Sequence, residues 1–183
     1  AIHAQEDRQA ALEKAHAADP DNVQVLQLLA NLHLGRGGSE ETGPISLEEA
    51  EGYLQQAVTL DPNNAETLHL LALLHIERGA YAKAEAIYFR LAKRSDLPEG
   101  LVAGHLGGLY LLWDKLDLAE AQLKTALTHE AFPQHTVQVY RHLGQLYERT
   151  NRPQEARRLY GQALEFVQGV PNEAARLSAE FKA

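Results

Sequence analysis

Nine histidines are the side chains of this chain best suited to chemistry near neutral pH. A helix-borne metal pair needs two of them one turn apart. None stands in His-x-x-x-His spacing, so that zinc motif has no counterpart here. His33 and His75 close two similar stretches, "LANLH" and "LALLH", where later stretches carry Tyr110 and Tyr147; they are expected to be packing rings. His129 and His135 are expected to flank a turn. A nucleophile is equally hard to find, with no cysteine and no Gly-x-Ser-x-Gly elbow. Phosphate-binding Gly-Lys-Ser/Thr loops and dinucleotide fingerprints are absent too. "GHLGG" (104–108) is Gly-rich but lies within a helix-period pattern, which argues against a phosphate cradle. Carboxylates are plentiful, yet no spacing pairs them in a pocket. The expectation is no catalytic, cofactor-binding or metal-binding residue, no cofactor and no enzymatic activity.

The elements that would have to position any site are helices. Hydrophobic residues make up 45% of the 183, aromatics only 7%, and Ala and Leu dominate the apolar set. Both are strong helix formers, and β-branched runs are nearly absent. Small residues recur in register. Ala50, Ala84, Ala119 and Ala156 hold one position; four residues on come Leu54, Tyr88, Leu123 and Tyr160; three further come Ala57, Leu91, Ala126 and Ala163. The spacing i, i+4, i+7 is one face of an α-helix. Upstream of each stripe lies a second face: Leu29-Ala30…His33, Leu71-Ala72…His75, Leu106-Gly107…Tyr110 and Leu143-Gly144…Tyr147. The small residue in second place admits a close neighbouring helix, and the ring in fifth place fills the space beside it.

Turn chemistry separates these helices. "DPDN" (19–22) and "DPNN" (61–64) carry Pro to stop one helix and Asn to cap the next. Gly79 and Asn151 stand where a left-handed turn residue is needed. Pro153 suits a first helical turn, and Ser46…Glu49 and Asp117…Glu120 have capping-box spacing. The period is 34–37 residues where no insertion intervenes. This resembles the tetratricopeptide repeat, a helix-turn-helix unit with Leu-Gly-x-x-Tyr followed by Ala, an aromatic, Ala and Pro. The fourth position departs from the family, reading Leu26, Leu68, Ala103 and Tyr140, and the closing Pro is clear only at Pro20 and Pro62.

The resemblance implies an all-α fold, a right-handed α-solenoid of about ten helices. One domain is expected over 1–183. Residues 4–18 form an N-terminal half-repeat helix. Repeats follow at 23–64, 65–99, 100–136 and 137–170, and 171–183 form a capping helix with Leu177 and Phe181 on one face. The first repeat is about eight residues too long, and the excess lies within 35–46, expected to be a mobile surface loop.

Charge bounds the partners. The net charge of −8 resides in residues 1–64, which hold 11 acids and 3 bases, while the remainder balances. That argues against nucleic acid, which needs a basic footprint. The longest nearly apolar run, 101–113, is too short to span a bilayer, so no membrane insertion by this segment is expected. Met is absent even at position 1, and a trimmed N-terminal signal or anchor is expected; the compartment, cytoplasmic or periplasmic, is left open.

In the family, the first helices line a concave groove reached from the second, fifth, ninth, twelfth and thirteenth positions of each unit. Carried onto this chain, these are Gln24, Gln27 and Asn31; Glu66, His69, Leu73 and Ile76; Gly104, Gly108 and Leu111–Leu112; and Gln138, Arg141, Gln145 and Arg149. His105 and His142 fall at the margin. The expected ligand is a protein or peptide, with an acidic group near Arg141 and Arg149 and an apolar anchor over Leu73, Ile76 and Leu112. The Gly104 and Gly108 surface is expected to leave it room. A carboxylate clamp of the kind some members use is not supported, because only Asn31 fits. The reading is a non-catalytic scaffold or adaptor. The alternatives are a homo-oligomer stacking through the N-terminal edge, and an accessory factor in bacterial envelope assembly, in cytochrome c maturation or pilus and secretin biogenesis.

Overall fold

The computed structural model describes residues 2–35, 46–129 and 133–168. Every regular element among them is helical: α1 (Ile2–Ala18), α2 (Val23–His33), α3 (Leu47–Leu60), α4 (Ala65–Glu77), α5 (Tyr81–Ala92), α6 (Glu99–Leu112), α7 (Leu116–Thr128), α8 (Pro133–Arg149) and α9 (Pro153–Gln168). The expected capping helix at 171–183, and all of the 35–46 segment but its two ends, lie outside the described residues. The chain divides into two compact units, Ala1–Ile87 and Tyr88–Ala183, with the division inside α5.

Helix starts follow local chemistry. The Asn22 and Asn64 side chains accept from the amides of Val25 and Thr67 at 3.2 and 3.1 Å, satisfying donors the helix cannot. Ser46 does the same for Glu49 at 3.3 Å. Asp117…Glu120 is not a capping box. α7 starts at Leu116 after Lys115, which makes no side-chain cap, and Glu120 points elsewhere. The cause lies two residues upstream, where Asp114 takes the left-handed conformation and begins the helix early.

The turn inside the later three repeats is one device. In the first repeat Gly35, at φ 71°, follows His33 by two residues, whereas Gly79, Asp114 and Asn151 each stand four residues after the ring residue and adopt φ of 68°, 60° and 57°. Beyond them the chain closes a six-residue loop onto the preceding helix: Ala80 N–H donates to His75 O at 2.8 Å, Lys115 to Tyr110 at 2.9 Å and Arg152 to Tyr147 at 2.7 Å. The acceptor is always the carbonyl of the ring residue.

In unit 1, Ala50, Leu54 and Ala57 of α3 are fully buried, and Ala50 and Leu54 pack with Ala30 of α2, with Leu34 just after it, and with Leu70 and Leu74 of α4. In unit 2, Ala119 and Leu123 of α7 and Ala163 of α9 are fully buried, with Ala126 and Ala156 nearly so. The small second-place residues act as expected. A Cβ on Gly107 would lie 2.5 Å from Leu123 Cγ, and one on Gly144 would enter the Tyr160 ring. Glycine is what lets α6 meet α7 and α8 meet α9 this closely.

Candidate functional site

The predicted groove residues fall in both units, and each group is described by itself. In unit 1, Gln24 and Glu66 are exposed and Asn31, His69 and Ile76 half-buried. Gln27 is engaged: its Nε2 donates to Asn64 Oδ1 at 2.8 Å and Thr67 Oγ1 at 2.9 Å, tying α2 to the start of α4. Leu73 is 8% exposed and belongs to the apolar core cluster, so it is not an open floor for a ligand. Glu66 and His69 share α4, yet among the described residues no three His, Asp or Glu side chains gather where a metal ion could sit.

In unit 2 the structure separates the predicted set into filled and open positions. The room at Gly104 and Gly108 is filled. Val139 Cγ2 would be 3.2 Å from a Cβ on Gly104, and the His142 ring 2.9 Å from one on Gly108. His142 is therefore a packing residue of the α6–α8 contact and does not rim a groove. His129 caps the end of α7 and His135 lies in the first turn of α8, with its ring edge-on to His105.

The open positions cluster at the other end of α6 and α8. Leu112, 61% exposed, is the most exposed large apolar side chain among the described residues. With Leu111, Gln145, Glu148 and Arg149 it lines a shallow pocket of about 350 Å³. Arg149 is partly committed. Its Nη1 donates to Leu111 O at 2.7 Å, satisfying a terminal carbonyl of α6, and its Nη2 pairs with Asp114 Oδ1 at 2.6 Å. Arg141 donates to Gln138, one turn back on its own helix.

One network went unread in the sequence. Glu120 of α7 accepts from Tyr147 of α8 at 3.0 Å and from Arg152, at the start of α9, at 3.0 and 3.1 Å, and pairs with Lys124 at 2.7 Å. Burial would raise the Glu120 carboxyl, but hydrogen bonds from Lys124, Arg152 and Tyr147 outweigh it and hold it below the usual carboxylate range. Arg152 also lies over the Tyr147 ring, 3.9 Å from its centroid. Burial, with Glu148 beside it, pushes the Tyr160 hydroxyl up to about 12. These groups fasten helices; none is arranged around a cleft. A second pocket, of about 510 Å³, lies among α5, α6 and α7 with Phe89, 47% exposed, among its lining residues. Sequence reading missed it, because nothing in the repeat pattern marks Phe89 as exposed.

Among the described residues no helix is long and apolar enough to cross a membrane. Two family models match the chain, each described as a tetratricopeptide repeat, one over residues 46–99 and one over 99–168. No curated protein matches it. Among solved structures it is similar to a tetratricopeptide repeat protein from Parabacteroides merdae, with TM-score 0.73 and 16% identity over 97% of this chain and 66% of that one. It is also similar to PilW, a widely conserved type IV pilus biogenesis factor, with TM-score 0.69 and 18% identity over 97% and 84%. Pseudomonas aeruginosa PilF gives TM-score 0.64 and 21% identity over 87% and 69%. At such identities the likeness is one of fold, an all-α solenoid of helix-turn-helix repeats.

Proposed function

This chain belongs to the tetratricopeptide repeat family, and on that premise we propose that it is a protein-interaction scaffold that performs no chemistry and holds a partner segment on the first-helix face of its repeats. The observation that carries the reading is Leu112. Held 61% in water, it lines with Leu111 a shallow pocket bordered by Gln145, Glu148 and Arg149, and an apolar concavity with a polar border is the form a docking site takes. Gln145 supplies amide donors and acceptors beside it, and Arg149 a charge whose position is fixed by Asp114 and the end of α6. The occupant that fits is a peptide or helix with an aliphatic or aromatic anchor over Leu112 and an acidic or carbonyl group near Arg149. Within unit 2, Gln138 is exposed, though it accepts from Arg141, while the space at Gly104 and Gly108 is filled by Val139 and His142.

The test compares affinity capture by the wild-type chain with capture by Leu112→Asp, followed by titration of whatever the variant loses. A partner of this face should bind at least about tenfold more weakly to the variant, since a buried anchor is worth more than about 1.4 kcal/mol. The melting temperature should stay put, because Leu112 is exposed. Identical capture by both proteins would move the binding face elsewhere.

A second reading, an accessory role in bacterial envelope assembly, is favoured only by the fold likeness to PilW, a pilus biogenesis factor. Loss of surface pili on removal of the gene from its own host is its test; intact pili would discard it.

A further inference from the structure

In unit 2 the contact between the first helices of consecutive repeats, α6 and α8, is built around imidazoles. His135 and His142 stand two turns apart on one face of α8. The His135 ring meets His105 of α6 edge-on with centroids 5.7 Å apart, and His105 stacks on Tyr88 of α5 at 5.5 Å. Between them Val139 closes on Gly104, and one turn on His142 lies over Gly108. His142 Nδ1 is sealed from water and has no hydrogen-bond partner. The same register holds Leu28 on α2, 43% exposed, Leu70 on α4, 2% exposed in an apolar cluster with Ala30 and Leu34, and His105 on α6. His142 thus fills, with a group that can gain a charge, a place that unit 1 fills at α4 with a buried leucine.

We infer that the α6–α8 contact is an acid-opened joint, in which protonation of His142 drives the two helices apart. Once the ring is protonated, the sealed Nδ1 needs an acceptor or counter-charge, and the charged groups of the surrounding elements are paired elsewhere. On α8 itself the neighbouring charge is Arg141, of the same sign. At the start of α6, Glu99 pairs with His129 of α7 at 3.2 Å. On α7, Glu120 is taken by Lys124, Tyr147 and Arg152, and on α9 Glu155 is taken by Arg152 at 2.6 Å. Tyr88 on α5 brings a phenol and no carboxylate. Burial, with Arg141 adding to it, holds His142 down to about 4, and burial lowers His135 as well. The unfolded chain therefore takes up a proton near pH 6.5 that the folded chain refuses until about pH 4. Stability is whole above pH 6.5 and drains away as the pH falls through that window. From pH 7 to pH 5, His142 alone shifts the folding equilibrium about 25-fold toward the unfolded side.

The experiment is urea unfolding of the whole chain at pH 7 and pH 5, for the wild type and for His142→Leu, which copies Leu70. It is joined by an NMR titration of the wild-type imidazoles. The wild type should lose about 25-fold more of its folding equilibrium constant than the variant between the two pH values. His142 should titrate well below 6.5, together with faster exchange of amides in α6 and α8. Equal losses in the two proteins, or a His142 that titrates near 6.5 with the helices closed, would overturn the inference. Should His142→Leu fail to fold, the wild-type titration decides alone.

Discussion

The two units join their first helices by different chemistry at one and the same register. In unit 1 the fifth-place Gln27 of α2 reaches the third-place Thr67 of α4, a fully buried hydroxyl, and the bond is made at 2.9 Å with Asn64 accepting at 2.8 Å. In unit 2 the same two places hold Gly104 and Val139, which meet in apolar contact. One turn on, Leu70 in unit 1 corresponds to His142 in unit 2. Each contact thus carries one polar and one apolar layer, but in exchanged order. The polar layer of unit 1 is satisfied and does not titrate. That of unit 2 includes an imidazole nitrogen without a partner. One fold tolerates both, because the stripe of small residues beneath each contact sets the helix spacing, and the layer above it is free to differ.

The stripe is the place to apply the largest perturbation. Ala50→Trp in unit 1 and Ala119→Trp in unit 2 each force a ring into a position with no exposed surface, and each should cost at least about 1–3 kcal/mol. Similar losses in thermal melts of both variants would show that the shared stripe sets both units. Near-wild-type melting of either would show that its register is wrong there.

A smaller effect should come from exchanging the layers. Thr67→Val removes an acceptor from Gln27 and should cost about 1 kcal/mol, Asn64 still holding the amide. Val139→Thr brings a hydroxyl against Gly104, where its own helix carbonyl is the nearest acceptor, and should also cost about 1 kcal/mol. The same atomic exchange run in opposite directions is thus expected to destabilise both times. Urea midpoints read it, and a neutral Val139→Thr would mean that water reaches the α6–α8 contact.

What the sequence made legible is what repeats or acts locally. The Ala stripe, the caps at Asn22 and Asn64, and the left-handed turns at Gly79 and Asn151 all fall where spacing and residue chemistry place them. Asp114 was hidden because an aspartate takes that conformation less readily than Gly or Asn, and Asp117…Glu120 offered a competing helix start. The groove was less legible than the fold. Successive helix residues are about 100° apart, so one place decides between a seam and an open face. His142 and Gly108 fell on the seam side of that division. Gln27 and Arg149 are legible as groove positions, but a donor's partner depends on the next helix, which no spacing within its own repeat reveals.

The smallest effect is expected where the sequence departs most from its own pattern. The first repeat is eight residues too long between its helices. The Ser46 amide donates to His33 O at 3.2 Å from thirteen places on. In the other repeats the residue five places on makes that bond, Ala80 to His75, Lys115 to Tyr110 and Arg152 to Tyr147. Ser46 is therefore the counterpart of Ala80, while Gly35, at φ 71°, stands two places before the counterpart of Gly79. Deleting 38–45 removes the eight residues, sets Ser46 five places after His33 with Gly37 in the place of Gly79, and leaves Ser46 to cap α3 through the Glu49 amide. Loop closure changes slowly with length, about 0.6 kcal/mol per doubling, so the deletion should alter stability by less than about 1 kcal/mol, in the direction of a gain. Urea unfolding of the shortened chain checks this. A loss beyond about 2 kcal/mol would mean that the extra residues pack against unit 1, since nothing in the turn itself is removed.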